Sequence, residues 1–462
     1  MSHSMDPAAV FASQFDGAAP EFAVSAPGRV NLLGEHTDYN GLPVLPMALQ
    51  RRVRAMVRPH RNPIVRLRHQ LGSYPPRGFQ ASGSIAPYPP GDWGNYAKAA
   101  VQGLLEAGAV PEPVHGMDLL IWSDLPVAAG LSSSSALLVA CALAFLRANR
   151  VAMPPLELAE LMAAAERYVG TQGGGMDQAT CLLGQSGRAL RIDFFPLRAR
   201  PVPLPQGYSV VVAHSLVAAP KTAGAMHLYN RRPAECRLAV AVLNRHLRSR
   251  SLIRNDLPRL GDLHREVPCL LEIAEQVLGP SPWSLAQVAS YLQMSAAEVQ
   301  QAYLKGRDGS VMPEPGDGFR LMQRVRHVLT EAARVDEAEG ALATGDARSF
   351  GRLMDASHAS CAGDYGISTP ELNALVAVAR EAGATGSRLT GAGFGGCTVS
   401  LVPEDRAPAV MQAIRERYYG GYLRNQRPEL VRQQPAWDDV LFVAHASSGA
   451  EVTELRGEGG PA

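Results

Sequence analysis

The chain lacks the features that would place it outside the cell, within a membrane or on a nucleic acid. Its six cysteines stand at 141, 181, 236, 269, 361 and 397. None forms a Cys-x-x-Cys pair and no histidine nearby completes a zinc spacing, which excludes a disulfide scaffold and a zinc module. Buried, reduced thiols of a cytoplasmic enzyme are expected instead. Long apolar runs are also missing: the longest, residues 136–146, falls well short of the ~20 residues that span a bilayer. Residues 1–17 carry Asp6 and Asp16 but neither a basic start nor an apolar h-region, so no secretory signal is expected. Charge of neither sign dominates, with 44 Lys plus Arg against 43 Asp plus Glu and a net of +1. No general field for nucleic acid or anionic lipid results. There is no internal repeat.

What is present is a globular composition, 46% apolar and 19% charged over 462 residues, too long for one ordinary core and therefore expected to form two lobes. Residues 22–50 read as strands joined by tight turns at Gly28, Gly34 and Gly41, and 58–90, rich in Pro and Arg, as surface hairpins and loops. Helical spacing marks 95–107, 132–149, 156–168, 231–248, 318–339 and 370–382, and strands are expected at 114–122, 208–214, 397–402 and 440–444. Pro201, Pro203 and Pro205 give residues 201–206 the look of a linker between lobes 1–205 and 206–462, the second carrying an additional helical segment at about 250–310. Helices and strands interleave, so the class is α/β or α+β.

Four glycine-punctuated runs carry candidate chemistry. The first is Gly28-Arg29-Val30-Asn31-Leu32-Leu33-Gly34-Glu35-His36-Thr37-Asp38-Tyr39. Its carboxylates and imidazole suit paired hydroxyls of a polyhydroxyl ligand, although a polar surface turn would read the same way. The second, Gly130-Leu131-Ser132-Ser133-Ser134-Ser135-Ala136, runs into the long apolar helix. Small residues admit a phosphate, serines cap the helix, and its N-terminus offers N–H groups and positive dipole; a plain N-cap is the alternative. It lacks the Gly-Lys-[Ser/Thr] ending of a Walker A loop. The third, Gly170-Thr171-Gln172-Gly173-Gly174-Gly175-Met176-Asp177-Gln178, sets a possible general base, Asp177, beside a backbone able to approach a ligand, or is a flexible turn with an Asp cap. Glu166 precedes it on a helix. The fourth, Gly386-Ser387-Arg388-Leu389-Thr390-Gly391-Ala392-Gly393-Phe394-Gly395-Gly396-Cys397, is by itself only a turn signal.

In order and spacing these runs, with Trp93-Gly94-Asn95-Tyr96 and Ser368-Thr369-Pro370-Glu371-Leu372, resemble the galactokinases of the GHMP small-molecule kinase superfamily. Gly-Gly-Gly-Met-Asp-Gln and the additional helical segment are most similar to the longer branch that includes N-acetylgalactosamine kinase. The resemblance implies an α+β fold of two lobes with the active site between them, and magnesium-dependent transfer of the γ-phosphoryl group of ATP to the anomeric hydroxyl of galactose. It casts Asp177 as general base with Arg29 steadying it, and Ser134 and Glu166 as Mg²⁺ ligands. Gly130, Leu131, Ser132, Ser133, Ser134 and Ser135 would cradle the phosphates, and Glu35, His36, Asp38, Gly174 and Tyr229 would grip the sugar. Tyr229, where N-acetylgalactosamine kinase is expected to carry Phe, favours unmodified galactose. The alternatives are N-acetylgalactosamine as acceptor, a non-catalytic sugar and ATP sensor, and another alcohol such as mevalonate. The Glu35-His36-Thr37-Asp38-Tyr39 run argues against the last.

Overall fold

Runs of alternating burial mark several strands of the first sheet, because period-two patterning puts every second side chain on one face. A computed structural model describes residues 6–70, 72, 74–126, 129–170, 173–218, 226–306, 310–432 and 436–455. Strands β1 (Phe22–Leu33), β2 (Leu45–His60), β3 (Ile64–His69), β4 (Arg77–Gln80) and β5 (Gly116–Ser123) are followed by a hairpin of β6 (Arg188–Asp193) and β7 (Arg198–Pro203). Strands β8 (Tyr208–His214), β9 (Gly386–Thr390), β10 (Cys397–Pro403) and β11 (Leu441–Ala444) form a second sheet in the order β11-β8-β10-β9, entirely antiparallel. The last strand, β12 (Glu451–Glu454), returns to the first sheet, whose order is β12-β1-β2-β5-β3-β4. Only the β3–β5 pairing in it is parallel. The chain is therefore α+β. The expected division at residue 205 falls between β7 and β8, and β12 ties the far end of the chain back to β1.

Residues 201–203 differ from the expectation of a linker, whereas 204–206 do lie between β7 and β8. Pro201 and Pro203 lie in β7, paired with Leu190 and Arg188 of β6. A two-stranded sheet has only edge strands, where the missing proline N–H costs no ladder bond.

The main core runs without a break from one sheet to the other. Val57 and Leu119 of the first sheet, Ala136–Ala148 positions such as Leu138 and Phe145, and Val210, Val212, Val399 and Leu401 of the second sheet belong to one buried cluster. Alternate residues of the second sheet, Val211, Ala213 and Val402, face a separate cluster under helices Pro370–Glu381 and Ala407–Ala413. On the far face of the first sheet, Met56 and Leu120 meet Phe11 and Phe15, which lie in or just beyond the helix Pro7–Gln14. A third cluster packs helices Met226–Ser249 and Leu321–Ala343 against the additional helical segment, which forms Leu260–Glu266, Leu270–Leu278, Leu285–Leu292 and Ala296–Val299. No helix among the described residues is long and apolar enough to cross a membrane.

Candidate active site

An irregularity in the β1–β2 pairing, where β2 runs two residues longer than β1, starts the site. The β1–β2 register shifts between Pro27 and Arg29, and the freed Arg29 N–H donates to the Leu131 carbonyl at 3.1 Å. Such irregularities re-aim neighbouring side chains, and here the Arg29 guanidinium enters the space between the first three glycine-punctuated runs. Its Nε and Nη2 both lie 2.7 Å from Asp177 Oδ1, and its Nη1 donates to the Gly130 carbonyl at 2.6 Å. The other carboxylate oxygen, Asp177 Oδ2, accepts from the Ser132 hydroxyl. Asp177 sits in the first turn of the helix Met176–Leu183, as an acidic residue there should.

The serine-rich run does not cap its helix, contrary to the expectation for its serines. The helix Ser133–Ala148 begins with no side-chain cap, and Ser132 holds the left-handed conformation, φ 60°. That conformation turns its hydroxyl onto Asp177 and away from the helix. The helix tip thus keeps uncapped N–H groups and its dipole for an anion. Ser135 donates to Glu166 Oε1 at 3.0 Å and Gln178 Nε2 to Glu166 Oε2 at 2.6 Å. The Ser134 hydroxyl instead meets Tyr96, whose phenol is pushed up to about 12 by burial and by the charge of Glu166. Ser134, Ser135 and Glu166 present only oxygen donors, the chemistry of a hard cation such as Mg²⁺. Among the described residues no three or more His, Cys, Asp or Glu gather into a metal cage. A cation here would complete its shell with phosphate oxygens and water.

One pocket joins the rest. Arg29, Glu35, His36, Asp38, Glu166, Gly174, Asp177 and Tyr229 all line it, with Ala392 and Gly391 from the fourth run. Gly174 donates to Asp38 Oδ2 at 3.1 Å, and a Cβ on it would stand 2.3 Å from the Tyr39 nitrogen, so no other residue fits. Burial pushes the Asp38 carboxyl up to about 6 against three backbone N–H donors, and the Asp177 charge adds to the rise. Burial likewise lifts Glu35 to about 7, against the pull of Arg388, whose Nη2 lies 2.8 Å from Glu35 Oε2. His36 is kept neutral by burial, its imidazole driven down to about 3. Both its ring nitrogens have protein partners, Tyr39 Oη at 2.9 Å and the Ala392 carbonyl at 3.2 Å. Burial and the charges of Asp38, Asp177 and Glu166 raise the Tyr229 phenol well above its usual range, so it remains a donor. Thr171 and Gln172 of the third run lie outside the described residues.

The fourth run closes the arrangement from the second lobe. A Cβ on Gly391 would meet the Gly130 carbonyl oxygen at 2.6 Å, so the turn rests directly on the backbone of the serine-rich run. Thr390 Oγ1 accepts from the Asn31 N–H at 2.8 Å and donates to the Asn31 carbonyl at 3.1 Å, sewing β9 to β1. Asn31, Thr390 and Arg388 were inside the quoted runs, but nothing in local spacing distinguishes them. Their roles depend on lobe contacts more than 350 positions apart in the chain, as the Asn31–Thr390 separation of 359 shows.

Comparison with known proteins identifies the family. The model for the galactokinase galactose-binding signature matches residues 9–59. Those for the GHMP kinases N terminal domain and GHMP kinases C terminal match 95–185 and 338–420. Galactokinase of Dictyostelium discoideum is 34% identical over 453 residues, covering 90% of this chain and 88% of the relative. Galactokinase of Homo sapiens is 36% identical over 412 residues, covering 87% and 89%. The crystal structure of Lactococcus lactis galactokinase complexed with galactose matches with a TM-score of 0.74 at 28% identity, over 97% of this chain and 98% of that one. With both GHMP domains, the sugar signature and relatives matched over nearly their whole length, the chain belongs to the galactokinase family of the GHMP kinases.

Proposed function

We propose that the chain transfers the γ-phosphoryl group of ATP to the C1 hydroxyl of galactose, forming galactose 1-phosphate and ADP. The observation that carries this reading is the position of Asp177, which lines the sugar pocket and is bonded to a residue of the uncapped serine-rich turn. Arg29 occupies Oδ1, which leaves Oδ2 as the oxygen that takes the C1 proton once the sugar hydroxyl replaces Ser132 there. The sugar oxygen bonds the γ-phosphorus as the bond to the β–γ bridging oxygen breaks, and ADP carries the electron pair away. Amides of Gly130–Ser135 positions hold the phosphates, and Arg29 offsets negative charge gathering at the acceptor oxygen. Ser134 and Glu166 would hold Mg²⁺, which would supply charge neutralisation for the transfer. Asp38, the Gly174 N–H, Glu35 and the Tyr229 phenol orient the sugar, and the neutral His36 ring forms a wall between Tyr39 and Ala392. In-line transfer requires mainly this positioning, with no covalent enzyme intermediate.

Tyr229 favours galactose over N-acetylgalactosamine, since its phenol points a donor at the pocket that holds Asp38. Coupled ADP release, with ATP and Mg²⁺ and a panel of galactose, N-acetylgalactosamine, arabinose and glucose, is expected to give the highest kcat/KM for galactose. Binding of sugar and ATP without ADP formation would replace the kinase reading with that of a sensor. Turnover confined to N-acetylgalactosamine would reassign the acceptor.

A further inference from the structure

The helix Leu321–Ala343 contributes no residue to the wall of the sugar pocket. Two of its side chains, one helical turn apart on the same face, nevertheless hold the backbone that carries Glu35 and His36. Glu331 Oε1 accepts from the Gly34 N–H at 2.9 Å, the Glu35 N–H at 3.3 Å and the Ser357 hydroxyl at 2.5 Å. Its Oε2 accepts from Arg334 Nε at 2.7 Å. His327 Nε2–H donates to the Glu35 carbonyl at 3.0 Å, and its Nδ1 accepts from the Ser360 hydroxyl at 2.9 Å. Both side chains are fully buried, each at 0% exposure. The carboxylate and the imidazole therefore grip the N–H and the C=O of the same residue, Glu35.

The gripped loop would not keep this shape unaided. Gly34 has φ 91°, and a Cβ there would meet the Val44 Cα at 2.7 Å. His36, which carries a Cβ, also sits in the left-handed region at φ 63°. Such a conformation is unfavourable for a residue with a Cβ and persists only where the surroundings over-determine it. An apolar side chain at position 331 would avoid desolvating a charge but would leave the Gly34 and Glu35 N–H groups buried without an acceptor. The carboxylate is thus matched to this loop. Burial opposes the charge, but Arg334, Arg388 and His327 hold the Glu331 carboxyl down to about 2, so it stays an acceptor throughout the working pH range.

We propose that Glu331 and His327 are positioning residues for sugar binding, fixing the backbone of loop 34–36 in the strained form that presents Glu35 and His36 to the sugar. The proposal rests on the galactose reading above. Steady-state kinetics of the full chain, with galactose and ATP varied independently, test it. Glu331→Gln places an amide N–H among N–H donors, and His327→Phe removes the donor to Glu35 while keeping a ring against Tyr365, 4.3 Å away between centroids. Losing such buried partners is expected to raise the galactose KM about tenfold or more, with the ATP KM within about twofold. Val325→Ala, which hollows the core beneath the same helix, is expected to lower Tm and leave the galactose KM unchanged. A galactose KM unchanged in folded Glu331→Gln or His327→Phe protein overturns the proposal. So does a rise of the same size in Val325→Ala, or parallel losses toward both substrates. Should Glu331→Gln fail to fold, His327→Phe decides. Failure of the unsubstituted chain to phosphorylate galactose would strike the substrate reading instead, and the two failures are told apart by that one assay.

Discussion

Asp177 is held on both oxygens, and the two partners do different things. Arg29 keeps the carboxylate charged and aimed, whereas Ser132 occupies the oxygen that an incoming alcohol would take over. Asp177→Asn keeps the shape and an oxygen for Arg29 but removes the proton acceptor. It is expected to lower kcat by about 10²-fold or more, with galactose affinity by calorimetry within a few-fold of the parent chain. An Asn variant retaining more than a tenth of the parent kcat would remove Asp177 from the base role. At this scale the sequence was informative where chemistry is unusual. Arg29, Asp38, Glu166 and Asp177 are charged groups amid glycine and apolar residues, and all four line one pocket. Glu331 and His327 were not legible, because on a helix of ordinary periodicity a buried Glu and His cannot be told from solvated ones until the loop they bind is folded over them.

Elements were read best where a periodicity runs unbroken. The helices Gly94–Glu106, Ser133–Ala148 and Pro370–Glu381 and the strand β8 lie within a residue or two of their expected bounds. Misreadings arose where a residue type has two uses. Serines near a helix start usually cap it, yet Ser132 caps nothing because Asp177 offers its hydroxyl a charged acceptor from another element. Prolines usually mark linkers, yet Pro201 and Pro203 tolerate a strand that has no neighbour on its other side. Glycine, too, has more than one use, and Gly174 shows which applies in the third run. Flexibility is not what its position needs, since the Asp38–Tyr39 backbone passes too close for any Cβ. Gly174→Ala is therefore expected to push the helix Met176–Leu183 and Asp177 off the loop bearing Asp38. The overlap is with backbone, which cannot swing aside, and overpacking of this kind costs about 1–3 kcal/mol. Thermal unfolding should show a lowered Tm together with a raised galactose KM; an alanine variant matching the parent in both would mean that the two loops can separate without consequence.

Across the whole molecule the site is a junction: β1, the serine-rich turn, the Asp177 helix and the fourth run meet only because one core spans both sheets and β12 closes the chain onto β1. Closing that junction buries titratable groups, and their shifts fix how stability depends on pH. Burial lowers His36 to about 3, and His327 and His358 to about 4, from an ordinary 6.5. Between 6.5 and 4 the unfolded chain takes up protons on these rings that the folded chain refuses, so stability falls as pH falls. Glu35 and Asp38 act in the opposite sense, being raised to about 7 and about 6 from 4.5 and 3.8. The stability they contribute is present below their unfolded values and is lost as pH rises through the folded ones. Three imidazoles against two carboxyls leave roughly one net proton near pH 5.5, or about 1.4 kcal/mol per pH unit. Glu331, lowered to about 2 from 4.5, extends the decline below pH 4.5, because its contribution is present above the unfolded value and disappears as the folded carboxylate is protonated. Urea midpoints at pH 7, 5.5 and 4 should therefore fall stepwise, with destabilisation already measurable at pH 5.5, before carboxylates of the unfolded chain titrate. His358→Asn, which removes one buried imidazole that is not part of the pocket lining, should reduce the slope between pH 6.5 and 5. A midpoint that stays level or rises from pH 7 to pH 5.5 would mean that these rings meet water in the folded state, and the closed junction would have to be redrawn as an open one.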